Sequence, residues 1–188
     1  MPAWLEESAL KVEVVSAARF KLPKELLYVL IVLLALFLQY SATIWGVTMR
    51  ARIQIYKRTF MRQFDELHKK HFPEMSKVTE LGYPDTGNGF YSKKLPYSDW
   101  FKMNNAQRCQ INFLEHMTYA SLLPVFVYFT YPRAALVIAI MIFFGRLIFT
   151  MSYSTGGPSA RLPGALIMDA ALIIGFGYMV SSTLALAK

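Results

Sequence analysis

Between Glu25 and Arg50 the chain carries no charged residue of either sign. The intervening stretch, LLYVLIVLLALFLQYSATIWGVTM, is apolar apart from Gln39 and a few hydroxyls. As a helix rising about 1.5 Å per residue it exceeds the ~30 Å hydrocarbon thickness of a bilayer. No soluble fold easily covers such a segment, so the first constraint is a membrane. Composition agrees: 55% of the 188 residues are hydrophobic and 17% are charged, against about 25% charge in an ordinary globular chain.

The positions of the remaining charges extend this reading. Between Arg108 and Arg133 the one formal charge is Glu115, from Ala134 to Tyr153 it is Arg146, and from Leu162 to Ala187 it is Asp169. We therefore expect an all-α membrane protein, a four-transmembrane-helix bundle forming a single domain over residues 1–188. The spans fall at about 26–49, 109–131, 134–153 and 163–187, with a long polar loop at 50–107. Each of the last three spans holds an ionisable residue at membrane depth, which is costly and marks a functional candidate. The single cysteine, Cys109, excludes an intramolecular disulfide framework and a Cys-based zinc site. The first apolar run starts too far in and runs too long for a signal peptide. The acids Glu6, Glu7 and Glu13 argue against a transit peptide, so helix 1 is expected to be retained.

If helix 1 runs from face B to face A, Arg50 through Lys102 and Arg161 give face A twelve Lys and Arg residues. Face B has six: Lys11, Arg19, Lys21, Lys24, Arg133 and Lys188. The excess places face A in the cytosol or an equivalent compartment. The net charge of +8 then needs no nucleic acid, because orientation bias and anionic membrane lipid account for it.

After helix 1, Ile53, Tyr56, Phe60, Phe64 and Leu67 recur at steps of three and four, predicting an amphipathic continuation on or leaving the membrane. Past Pro73 the stretch GYPDTGNGFYSKKLPYSDW reads as an ordered loop of turns. His68 and His71 fit a solvated basic helix better than a metal site.

Arg108, Asn112 and Glu115 stand at i, i+4 and i+7 and form one polar stripe on helix 2. Arg146 and Tyr153 are seven apart on helix 3, and Arg161 follows its end. With Arg50 these groups suggest a cationic cleft near face A with a carboxylate deeper in. Plainer readings stand beside it. Arg50 and Arg108 could snorkel, Glu115 and Arg146 could pair to lock packing, and Asp169 could pack inward against a neighbour's polar group. Charges as costly as Arg108, Glu115 and Arg146 also call for subunit contacts to hide them.

The string RCQINFLEH, Arg108 to His116, resembles the Arg-Ala-x-x-Asn-x-x-Glu signature of the MAPEG family, the membrane-associated proteins in eicosanoid and glutathione metabolism. GRLIFTMSYSTGGPSARLPG, Gly145 to Gly164, is similar to the family's third-helix end and Arg-Leu-Pro loop. Arg50 after helix 1 is a third match. The resemblance implies a homotrimer that binds glutathione, as co-substrate, between subunits. Arg50, Arg108, Asn112, Glu115, His116, Arg146 and Tyr153 would hold it, and Arg161 would act catalytically by stabilising the thiolate. It further implies a lipophilic electrophile, lipid contact and an endoplasmic reticulum or mitochondrial membrane. Cys109 stands where the family usually has Ala, His116 where several members have Tyr or Asn, and Phe149 where leukotriene-forming members have Tyr. Position 51 is Ala where those same members have a second Arg. The expected function is a membrane glutathione transferase, with glutathione peroxidase activity on lipid hydroperoxides alongside it. The alternative is a non-catalytic subunit of a larger membrane complex such as a mitochondrial respiratory assembly.

Overall fold

A computed structural model describes residues 21–75 and 77–187. The acids Glu6, Glu7 and Glu13 and the bases Lys11, Arg19 and Lys188, used above for the leader and for orientation, lie outside the described residues. All regular structure among those described is helical. The long helices are α1 (Lys24–Ile55), α4 (Tyr97–Tyr128), α5 (Pro132–Gly156) and α6 (Leu162–Leu186), with short α2 (Arg58–Met61) and α3 (Asp65–His71) between the first two. Among the described residues three helices are long and apolar enough to cross a membrane: α1, α5 and the helix ending at Leu186. The helix α4 is as long as α1, 32 residues, but carries Asp99, Lys102, Arg108 and Glu115 over its first two-thirds.

The start of α4 differs from the expected 109. Pro96 stands immediately before the first helical residue, and Asp99 lies in the first turn where the helix dipole favours an acid. The charge-free stretch therefore marks only the apolar part of a longer helix. One end of the bundle gathers Glu25, the Tyr131–Arg133 turn and Tyr178, and the opposite end gathers Arg50, Phe101 and Gly156, so successive long helices run antiparallel. Their shared core includes Val29, Leu36, Phe113, Leu123, Ile138, Ile142 and Met168, all buried.

Two glycines set the spacing of α5 and α6. A Cβ on Gly164 would lie 2.3 Å from Phe149 N, and one on Gly145 would lie 2.9 Å from Met168 N. The helix backbones touch there because neither residue has a side chain, the close approach that small residues permit in membranes. Gly157, at φ 76°, turns the chain out of α5 into the 3₁₀ turn Pro158–Arg161.

The amphipathic continuation of helix 1 is broken at Tyr56. Its φ and ψ are −88° and 49°, and Lys57 is extended. The cause is tertiary. Leu81 N donates to Tyr56 O, a carbonyl that a continuing helix would have offered to Phe60, and Phe60 N turns to Lys57 O. The apolar residues then fold on themselves: Ile55, Tyr56, Met61, Phe64 and Val78 pack with Met103 of α4 in a second small core. Ile53 and Leu67, of the same periodic set, are exposed.

The turn-rich loop is organised by two buried charges. Arg52 donates to Leu81 O (2.8 Å) and Asp85 O (2.5 Å) and lies over the Tyr83 ring, 4.2 Å from its centroid. The Asp85 carboxylate accepts from Gly87 N, Gly89 N, Ser92 N and Ser92 Oγ at 2.7–2.8 Å, while Tyr56 Oη and Ser92 Oγ share a 2.6 Å hydrogen bond. Asn104 Nδ2 donates to Gly87 O (2.8 Å), tying the loop to α4. Nearby, Arg58 and Asp65 form an ion pair, and Asp65 also accepts from Val78 N (3.0 Å).

Burial of the Asp85 carboxyl would by itself raise its pKa, but the hydrogen bonds from Ser92, Gly87 and Gly89 outweigh that and hold it below the ordinary value. A carboxyl depressed in the fold contributes stability above its unfolded pKa, near ~4, and loses it as pH falls through the folded one. Hydrogen exchange should therefore show the Gly87, Gly89 and Ser92 amides protected at neutral pH and opening on acidification below that range. In Asp85→Ala they should be open at every pH. Protection unchanged by the substitution would remove Asp85 as the organiser.

Candidate functional site

The polar residues of α4 and α5 meet at Arg146. Its side chain is 1% exposed, and its guanidinium donates to Asn112 Oδ1 (2.8 Å) and Asn112 O (3.1 Å). Two aromatic faces complete the enclosure, with the guanidinium carbon 5.1 Å from the Phe113 centroid and 5.2 Å from that of Phe149. Arg146 Nε is buried without a partner among the described residues.

His116, one turn on from Asn112, places Nδ1 2.8 Å from Asn112 O. A carbonyl only accepts, so Nδ1 carries the proton in this bond, and in the neutral ring Nε2 then keeps its lone pair. Its ring packs 5.2 Å from that of Tyr119.

Along α5 the cation sits at the head of an aromatic column. Arg146 lies against Phe149, Phe149 stacks on Tyr153 at 5.6 Å and 29°, and Arg161 lies over Tyr153 at 5.5 Å. The spacing 146, 149, 153 puts these groups on one helix face, and the turn at Gly157 brings Arg161 back over the last ring. Phe149 and Tyr153 are buried with Cys109 and packed against Val47 and Ala165. The intermediate ring was not a site candidate in the sequence, although its three-and-four spacing between Arg146 and Tyr153 was visible there.

Other expected groups lie elsewhere. Arg108 and Glu115 are exposed on α4. Arg50 is exposed and opens onto a cleft of about 530 Å³ walled by α1, the start of α4 and the end of α5, whose lining includes none of Arg108, Asn112, Glu115, Arg146, Tyr153 or Arg161. The single chain thus brings Asn112, His116, Arg146, Tyr153 and Arg161 into one connected column. It leaves Arg50, Arg108 and Glu115 outside it.

One plainer reading is corrected. Glu115 and Arg146 do not form an ion pair: among the described residues the ion pair is Arg58 with Asp65, and Arg146 donates to Asn112 instead. In the single chain Asp169 is exposed on α6. Its neighbour Met168 takes the inward position against Gly145. Cys109 is fully buried, consistent with a small packing residue. His68 and His71 line an apolar pocket with Phe64, Leu67, Phe72 and Phe90.

The sequence model of the MAPEG family matches residues 26–181. No curated protein and no solved structure matches the chain.

Asn112→Leu leaves the buried guanidinium with only a backbone carbonyl. It should lower stability by about 2–4 kcal/mol, read as thermal unfolding in detergent, whereas Asn112→Asp, which keeps an acceptor, should lose less. Equal unfolding temperatures for wild type and Asn112→Leu would show that the amide does not hold Arg146.

Proposed function

The chain belongs to the MAPEG family, and from that membership we propose that it is a membrane-bound glutathione transferase acting on lipophilic electrophiles. Reduction of lipid hydroperoxides is a second outlet for the same thiolate. The observation that carries this reading is the column from Asn112 and Arg146 through Phe149 and Tyr153 to Arg161. It holds one guanidinium rigidly at depth and a second on a short loop, half-buried, where it can approach a sulfur.

In this reading α4 is the remaining span of a four-span bundle, and the basic loops face the cytosol or matrix of an endoplasmic reticulum or mitochondrial membrane. Glutathione offers two carboxylates, suited to Arg50, Arg108 and Arg146, and an ammonium, suited to Glu115 with the lone pair of His116. Tyr153 supports the ligand from below. The thiol of a free cysteine titrates near ~8.5, so Arg161 beside the sulfur favours the thiolate. The thiolate then attacks the electrophilic carbon. An S–C bond forms, and the leaving group departs with its electron pair, or an epoxide oxygen takes it and is protonated.

The exposed Arg108 and Glu115 are too costly to face lipid, which supports a homotrimer whose neighbours cover them and complete the glutathione site. Mass measurement of the protein in mild detergent and in nanodiscs should give a trimer; a monodisperse monomer or dimer in both would sink that part.

A second reading, a non-catalytic subunit of a larger membrane complex, is favoured by two observations. Phe149 buries a ring without a hydroxyl inside the column, and the 78–95 loop is an ordered structure of its own. One titration separates the readings. A transferase should show ultraviolet thiolate absorbance from bound glutathione at neutral pH, and Arg161→Ala should weaken it and slow turnover by about tenfold or more. No thiolate signal in the wild-type protein would support the non-catalytic subunit.

A further inference from the structure

At the end of the bundle away from the basic loop, a cleft of about 580 Å³ opens between the start of α1, the α4–α5 turn and α6. Its lining holds one acid, Glu25 of α1, and one base, Arg133 of α5, both exposed. Among the described residues neither is ion-paired, so the cleft presents a negative and a positive pole that are separate and unspent.

Two rings wall the same cleft. Tyr131 of the turn and Tyr178 of α6 lie edge to face, with centroids 5.1 Å apart at 61°. Tyr131 Oη shares a 2.8 Å hydrogen bond with Ser181 Oγ, which fixes the first ring against α6, and the second is 38% exposed. A carboxylate beside aromatic rings suits an alkylated ammonium. A guanidinium suits a phosphate.

Position narrows the ligand. Glu25 lies in the first turn of α1 and Arg133 follows Pro132 at the start of α5, so both stand where the apolar helices begin. Tyr28 and Phe129, 50% and 66% exposed, flank this end as interfacial aromatics do at headgroup depth. This leaflet is the one opposite the basic loop, so the positive charge that answers anionic lipid lies on the other side. One pole of each sign matches a headgroup that carries both charges and no net charge.

Glutathione bound at the column does not reach this depth. Arg146 stands thirteen residues beyond Arg133 on α5, and His116 stands twelve residues before Tyr128 on α4, about 20 Å and about 18 Å along the helices. A fully extended tripeptide spans about 11 Å. Subunits of a symmetric membrane trimer are related by an axis along the membrane normal, so the difference in depth is the same between subunits as within one.

We propose that this cleft binds the headgroup of a phosphocholine lipid, with the phosphate at Arg133 and the quaternary ammonium at Glu25, Tyr131 and Tyr178. The site does not rest on the glutathione reading. A soluble phosphocholine ester offers the same two charges, so the test separates the two sources.

The full chain in maltoside micelles is followed by thermal unfolding while short-chain phosphatidylcholine, diacylglycerol of the same chains, phosphatidylglycerol of the same chains or glycerophosphocholine is added. Phosphatidylcholine should raise the unfolding temperature saturably, and diacylglycerol should not. Glu25→Lys should raise the half-saturating concentration of phosphatidylcholine about tenfold or more without raising that of phosphatidylglycerol, because the cleft then holds two cations. Tyr178→Leu should weaken phosphatidylcholine about threefold or more, and Tyr178→Phe, which keeps the ring, should not. Glu25 is exposed, so Glu25→Lys should still fold, and each variant is read by the difference between lipids rather than by its lipid-free unfolding temperature. An equal effect of glycerophosphocholine would overturn the lipid source. The site itself is overturned if diacylglycerol acts as phosphatidylcholine does, if Glu25→Lys or Tyr178→Leu binds phosphatidylcholine as wild type does, or if glutathione displaces the lipid competitively.

Discussion

A guanidinium held inside an apolar bundle by an amide, with no bonded carboxylate, fixes what the helices around it can do. Arg146 reaches Asn112 across the α4–α5 contact, so the register of those two helices cannot slip by a turn without stranding a buried cation. Gly145, its neighbour in sequence, receives the Met168 backbone and sets α6 against the other side of α5. Three helices are thus registered around one dipeptide. The aromatic column below it inherits that register, because Phe149 is in contact with Arg146 on one side and, through its backbone, with Gly164 on the other.

The water-side loop repeats this logic on a smaller scale. Arg52 and Asp85 are buried without being salt-bridged to one another through their side chains: the guanidinium is satisfied by carbonyls and the carboxylate by amides and a hydroxyl. Each charge is used to collect backbone groups that a turn-rich segment cannot pair internally. The loop is therefore ordered by polar closure as much as by its small apolar core, and through Asn104 it holds the beginning of α4 against α1.

Much of this was legible in the sequence because charges in apolar runs are informative one by one. The absence of charge between Glu25 and Arg50 located α1, and Asn112 and Arg146, polar groups in apolar runs, are the pair that meets between α4 and α5, whereas Arg108 of the same stripe lies outside the column. What was not legible required knowing a partner. The helix break at Tyr56 depends on Leu81, 25 residues away, capturing a carbonyl, and periodicity cannot report that. The true start of α4 was hidden because polarity marks where a membrane ends and not where a helix does. Asp169 reads as a residue needing a polar partner, and within the single chain it is exposed while its neighbour Met168 packs against Gly145. Arg146 reads as a mate for Glu115, but the amide at Asn112 lies a turn nearer to face A and bonds it without a second desolvated charge.

The helix α4 then emerges as one stripe used at two depths, since steps of seven place Lys102 with Cys109 and Asn105 with Asn112 on the same face. Asn112 and His116 turn toward the buried guanidinium, with Arg108 and Glu115 exposed beside them. Nearer the water, Lys102 and Asn105 line the cleft with α1, and one turn deeper than Asn105 Cys109 is packed against Val47, which lines the same cleft. Val47 is the partition: it touches the Phe149–Tyr153 column from within the bundle and the cleft from the water side. A ligand that moved the partition would shift the rings on which Arg146 and Arg161 rest, so the two polar regions are mechanically adjacent.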